Sequence, residues 1–141
     1  MTQDRLRDPR PLPTRTKLAL TLEVAATFVR ARLRLRRRDV RSAVASLRAS
    51  ARSGPGTDET YAEAARLGGV VARVLSPLPA DSRCLMMSVV LSAMLARRGV
   101  DSSIVIGVKS GSTFGAHAWV ELDGRPLLPA GETEFERLVT L

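Results

Sequence analysis

Asp81-Ser-Arg-Cys-Leu-Met-Met-Ser-Val-Val-Leu-Ser-Ala-Met-Leu-Ala-Arg-Arg-Gly99 is the stretch on which the reading of the whole chain turns. Asp81 and Ser82 carry side-chain oxygens suited to accept from the free amides of a helix start, and Gly99 is the residue type that closes one. Between them, Cys84 to Arg98 reads as an apolar helix with Cys84 in its first turn. A thiol there faces the positive end of the helix dipole and unsatisfied N–H groups, and both favour thiolate over thiol. The position suits a nucleophile.

Toward the C-terminus, Ser103-Ile-Val-Ile-Gly-Val108 reads as a short buried strand and Lys109 to Gly115 as a loop. Ala116-His-Ala-Trp-Val-Glu-Leu122 follows as a second strand that turns at Asp123-Gly124. Strand alternation puts His117, Trp119 and Glu121 on one face. The chain has one cysteine and one histidine. This reading sets them on different elements, an arrangement in which imidazole can take the thiol proton. The plainer alternative is a buried, inert thiol and a core histidine. Arg125-Pro-Leu-Leu-Pro129 pairs back as a short strand, confined to an edge by its prolines. Glu132 to Leu141 reads as a closing helical turn or a frayed tail, with Phe135, Leu138 and Val139 available to pack.

Toward the N-terminus, Ser76-Pro-Leu-Pro-Ala80 delivers the chain to the Cys84 helix. Before it, Thr57 or Asp58 caps a helix with apolar positions at Tyr61, Ala65, Val70, Val71, Val74 and Leu75, interrupted by Gly68-Gly69. Val40, Val44 and Leu47 define a helix to about Ala51, ended by Ser53-Gly-Pro-Gly56 and separated from its predecessor near Asp39. Thr14, a plausible N-cap, opens a helix to about Arg37. Leu18, Leu22, Ala25, Ala26 and Val29 form its expected apolar face, with Leu33 packing inward.

The chain's 141 residues, 45% hydrophobic and 4% aromatic, suffice for one domain with a modest core. The expected organisation is a flexible tail over residues 1–13 and a single domain over 14–141, helical over 14–80 and carrying the site over 81–141. The fold class is α+β, a helical front part packed on a small antiparallel sheet. One cysteine excludes an internal disulfide framework and a multi-cysteine zinc site, and fits a reducing cytoplasm. No metal or organic cofactor is expected. The N-terminus has no apolar signal core, and Leu18 to Val29 is interrupted by Glu23, so neither secretion nor a membrane span is expected.

Residues 1–53 hold 14 Lys+Arg against 4 Asp+Glu, a charge of +10; residues 54–141 hold 8 against 10, a charge of −2. That asymmetry points to an acidic partner for the front half. Six arginines fall between Arg30 and Arg38, and the bland reading, a solvated helix end with snorkelling side chains, is preferred. No aromatic residue is interleaved among them for base stacking, so nucleic acid is not the expected partner.

With Cys84-Leu85 opening an apolar helix, Arg97-Arg98-Gly99-Val100 closing it, Ile106-Gly107-Val108 in the next strand, and Ala116-His-Ala-Trp-Val-Glu121 followed by Asp123-Gly124, the chain resembles the leader peptidases of lasso peptide biosynthesis. These belong to the transglutaminase-like, papain-type cysteine peptidase superfamily. The resemblance covers about Thr60 to Leu141 and implies removal of the leader from a ribosomally made precursor peptide. It further implies a separate leader-recognition protein as partner, and an ATP-dependent macrolactam cyclase acting next.

The resemblance implies Cys84 as nucleophile and His117 as general base and then acid. Such peptidases usually carry an acid one strand later to orient the imidazole, near the place where this chain has Pro129. Proline cannot serve. Glu132, a few residues on, is the preferred substitute; Asp123, Glu121, or a backbone carbonyl or water remain open. The oxyanion hole would take the Cys84 N–H and one further donor, Ser82 or Arg83 among the candidates. Trp119 reads as a core anchor of the strand. The competing functions are acyl transfer by the same thiol and a non-catalytic basic adaptor.

Overall fold

The 13 residues from Cys84 to Ala96 carry no charge, and a helix of that kind is stable only when wrapped by other elements. A computed structural model describes residues 13–49, 57–109, 115–127 and 136–141. It contains α1 (Thr14–Arg37), α2 (Val40–Leu47), α3 (Asp58–Val74), α4 (Ala80–Arg97), β1 (Ser103–Lys109), β2 (Gly115–Leu122), β3 (Arg125–Pro126) and β4 (Glu136–Thr140). The class is α+β, as the sequence pattern predicts. α4 is the central element. Its side chains are buried on every side from Ser88 to Ala96, with α1, α2 and α3 against it and the sheet, chiefly β2, on it as well. Its two buried hydroxyls are satisfied: Ser88 Oγ donates to the Cys84 carbonyl at 2.8 Å, and Ser92 Oγ meets Ser102 Oγ at 3.1 Å.

Prolines open two of the helices. Pro13 and Pro79 hold the N-cap positions of α1 and α4, so Thr14, Asp81 and Ser82 lie inside the helices rather than capping them. The proline carbonyls accept the first intrahelical bonds, from Lys17 N–H and Arg83 N–H at 3.1 Å each, and neither helix start has a side-chain cap. Asp39 and Thr57 do cap through their side chains, accepting from Ser42 N–H at 2.8 Å and Thr60 N–H at 3.1 Å. At its other end α4 stops at Gly99, φ +76°, where Gly99 N–H reaches the Ala96 carbonyl and Val100 N–H the Leu95 carbonyl, each at 2.9 Å. Those paired bonds need the left-handed conformation that glycine adopts without strain.

The sheet order is β3-β2-β1-β4 with antiparallel neighbours throughout. Asp123 (φ 50°) and Gly124 (φ 78°) make the two-residue turn between β2 and β3, the positive-φ pair that suits the twist of a hairpin. β3 sits at an edge, as Pro126 requires. Tyr61 on α3 holds that edge: its hydroxyl donates to the Pro126 carbonyl at 2.7 Å, and the Arg125 guanidinium lies 3.8 Å over its ring.

Three expectations need correction. First, α1 is rotated half a turn from its predicted orientation. Val24, Thr27 and Ala31 face the core, joined by Leu20, Phe28 and Leu35, whereas Leu18, Leu22, Val29 and Leu33 are 61, 62, 55 and 48% exposed. The helix carries two apolar stripes, and polar contacts beside the inner one fix the choice. Arg98 forks onto Glu23 with two bonds of 2.8 Å, and Arg34 donates to Ser46 Oγ at 2.6 Å. Second, Glu136–Thr140 is a strand, not a helical turn. It pairs with the edge of β1 that would otherwise leave a row of open N–H and C=O groups, and Leu141 exchanges two backbone bonds with Ile104 at 2.7 and 2.9 Å. Third, α2 stops at Leu47, because Arg48 turns away to bond Asp101 Oδ1 at 2.6 Å and the Ser102 carbonyl. The tail over residues 1–12 and the Ser53–Gly56 stop lie outside the described residues.

Candidate active site

Cys84 sits where α4 emerges from the core. Ser82 is exposed, Arg83, Cys84 and Leu85 are half-buried, and burial becomes complete only further along the helix. Because α4 begins at Ala80, Cys84 is its fifth residue, two to three residues deeper than the sequence pattern predicts. Its amide is in position for the ordinary bond to the carbonyl four residues back, and the amides without intrahelical partners belong to the turn before it. The Cys84 N–H is therefore a poorer oxyanion donor than expected. Arg83 is half-buried. Its Nε and Nη2 both donate to the Leu78 carbonyl, at 3.0 and 2.8 Å, bracing the turn that launches the helix.

His117 lies half-buried on β2, directly opposite Gly107 of β1. Its ring stacks on Trp119 with centroids 6.0 Å apart and planes 23° apart. Trp119, 4% exposed, is the core anchor its size predicts, and its indole N–H donates to Glu121 Oε1 at 3.0 Å. Glu121 is itself 7% exposed, and its Oε1 also accepts from Arg137 Nη2 at 2.6 Å. Arg137 stands on β4 across Gly107 from His117. Gly107 places no side chain between them, which leaves the arginine room to bend toward Glu121. Imidazole, indole, carboxylate and guanidinium thus form one chain of contacts.

That chain reassigns the candidate acids. Glu121 shares the His117 face, but four residues of extended strand put it about 13 Å further along, with Trp119 between them. Its carboxylate accepts from the indole N–H. Asp123 lies further still, in the hairpin turn. Glu132 lies outside the described residues. The packing of α4 on β2 brings the Cys84 helix and the His117 strand side by side.

Among the described residues, no group of three His, Cys, Asp or Glu is placed to hold a metal ion, and no helix is long and apolar enough to cross a membrane. A groove of about 350 Å³ opens between α1, α3 and the far end of α4, lined by Leu20, Leu67, Leu95 and Val100. Leu95 is 11 residues from Cys84, about 16 Å along the helix axis, so this groove is separate from the thiol.

A family model described as the transglutaminase-like superfamily matches residues 25–140, from the second half of α1 through β4. The chain belongs to the transglutaminase-like superfamily. No curated protein and no solved structure gives a match. The superfamily includes cysteine peptidases and acyltransferases, and cysteine-dependent catalysis is common in it. In a transglutaminase-like chain with one cysteine and one histidine, those two residues are the candidates for that chemistry. Arg137 and Gly107 were missed as contributors to the His117 surroundings. Arg137 belongs to a segment whose sequence reads as a helical turn or a frayed tail, and Gly107 matters only through its cross-strand register.

Proposed function

We propose that this protein is a cysteine peptidase that removes the leader from a ribosomally made lasso peptide precursor in the cytoplasm. The observation that carries the chemistry is the placement of Cys84. The sole thiol is half-buried at the emerging end of an otherwise buried helix, and that helix is packed on the strand that presents the sole imidazole. His117 takes the Cys84 proton, and the thiolate attacks the carbonyl carbon of the scissile amide. The tetrahedral intermediate expels the amine, which leaves with the proton from His117. Water, deprotonated by the same imidazole, then cleaves the thioester and restores the thiol. Glu132 orients the imidazole. The leader class rests on the resemblance in the Cys84 and His117 segments, and with it come a separate leader-recognition protein as partner and a macrolactam cyclase as the next enzyme. The reaction uses no cofactor.

The single cysteine makes a substrate-independent test available, the pH dependence of Cys84 alkylation by iodoacetamide. Where His117 takes the Cys84 proton, alkylation is faster in the wild-type protein than in His117→Ala at the same pH. Coincident profiles would remove the pair from the mechanism. Incubation with a precursor peptide and the recognition protein then tests the reaction, because the product mass separates hydrolysis from transfer to an amine. Leader release by Cys84→Ala would leave the adaptor reading.

A further inference from the structure

The outward face of α1 carries exposed aliphatic side chains that the candidate site does not use. Leu18, Leu22, Val29 and Leu33 are each about half exposed or more, and exposed Ala25 and Ala26 lie between the two pairs. Leu18 and Leu33 are 15 residues apart, about 22 Å of helix. The profile is large, small, large, with a low saddle at the alanines into which another helix can pack closely. Arg30, Arg32, Arg36 and Arg37 border the C-terminal half of the stripe. All four are exposed, and none forms an ion pair among the described residues. A row of uncompensated cations beside an apolar ridge is arranged for a partner with the opposite charge.

We propose that this face docks an acidic amphipathic helix of another protein, whose apolar ridge crosses the Ala25–Ala26 saddle and whose flanking carboxylates meet the four arginines. A second copy of this chain fits poorly. α1 carries seven basic residues and one acidic residue, and that one, Glu23, is already held by Arg98. Two such faces would repel. An anionic membrane fits less well than a protein, because the face holds no aromatic anchor; Phe28, the one aromatic residue of α1, lies on the inner side. This proposal does not depend on the peptidase reading.

The test is fluorescence anisotropy with a labelled synthetic helix that carries Leu on one face and Glu on both flanks, alongside a matched peptide with Lys in place of Glu. The Glu peptide binds the wild-type protein and the Lys peptide does not, and binding weakens as salt is raised. Leu22→Glu weakens binding at least about tenfold, since it sets a charge against the ridge. Its thermal transition stays near that of wild type, because Leu22 is 62% exposed. Equal binding of both peptides, or binding unaffected by Leu22→Glu, overturns the proposal. So does flotation with phosphatidylserine vesicles without peptide binding, or a concentration-dependent dimer that Leu22→Glu abolishes.

Discussion

Glu121 and Arg137 join β2 to β4 across β1, and their coupling is measurable because the chain's one tryptophan sits in the same contact chain. Arg137→Ala removes the 2.6 Å partner of a carboxylate whose side chain is 9% exposed and keeps the 3.0 Å bond from Trp119 Nε1–H. Breaking a fully buried pair costs about 3–5 kcal/mol. Here the arginine side chain is 56% exposed. Water reaches the vacated place, and the expected loss falls to about 1–2 kcal/mol. Glu121→Gln keeps an acceptor for the indole and loses less, about 1 kcal/mol. In a cycle of Glu121→Ala, Arg137→Ala and the double variant, the coupling energy is about 1 kcal/mol. Urea unfolding followed by far-UV circular dichroism and by Trp119 fluorescence supplies the four stabilities. Additivity within about 0.3 kcal/mol would mean that the Glu121–Arg137 contact contributes nothing beyond its two side chains separately.

The Glu23–Arg98 fork makes a pH-dependent prediction. The bond from Arg98 is the largest effect holding the Glu23 carboxyl below its ordinary range, opposed by burial and helped by the nearby charges of Arg98 and Arg97. A depressed carboxylate pKa adds stability that is present above the unfolded value and is lost as pH falls through the folded one. Glu23→Gln is therefore about 1 kcal/mol less stable than wild type near pH 7, and the gap closes below about pH 4; a gap independent of pH would refute this. Two glycines predict opposite signs in the same unfolding assay. Gly99→Ala, forced to φ +76° with open space around the added methyl, loses about 1 kcal/mol, whereas Gly69→Ala, helical, exposed and equally unobstructed, gains about 0.5–1 kcal/mol.

How far the fold could be read in advance varied with the range of the interactions that fix each element. α4 was legible because a helix with no charged residue from Cys84 to Ala96 has one stable place, the centre. Gly99 and the Asp123-Gly124 turn were legible because they act within a few residues of themselves. β4 was not. Glu136–Thr140 has no strong alternation, and it becomes a strand through the open edge of β1, a requirement set some 30 residues earlier. The site divides in the same way. Cys84 and His117 stand out as the chain's only thiol and only imidazole, and the shared face of His117, Trp119 and Glu121 follows from alternation. The partner that gives Glu121 its role does not, because Arg137 reaches it from the strand the sequence concealed.

α1 shows why periodicity can find a helix and still misplace it. Leu18, Leu22, Ala25 and Val29 recur at helical spacing, and so do Leu20, Val24, Thr27 and Ala31 on the opposite side. By apolar content the first stripe is the stronger, and burying it would remove more surface from water. That orientation would turn Glu23 and Arg34 away from Arg98 and Ser46, the partners they meet here. It would also press Val29 and Leu33 against the core where the small side chains of Thr27 and Ala31 now sit. The native rotation keeps the polar bonds and the close packing and leaves the larger aliphatic side chains outside. A single folded chain gains nothing from four exposed aliphatics in line. Their place beside four uncompensated arginines is intelligible if the hydrophobic contact they lack at home is made with another molecule.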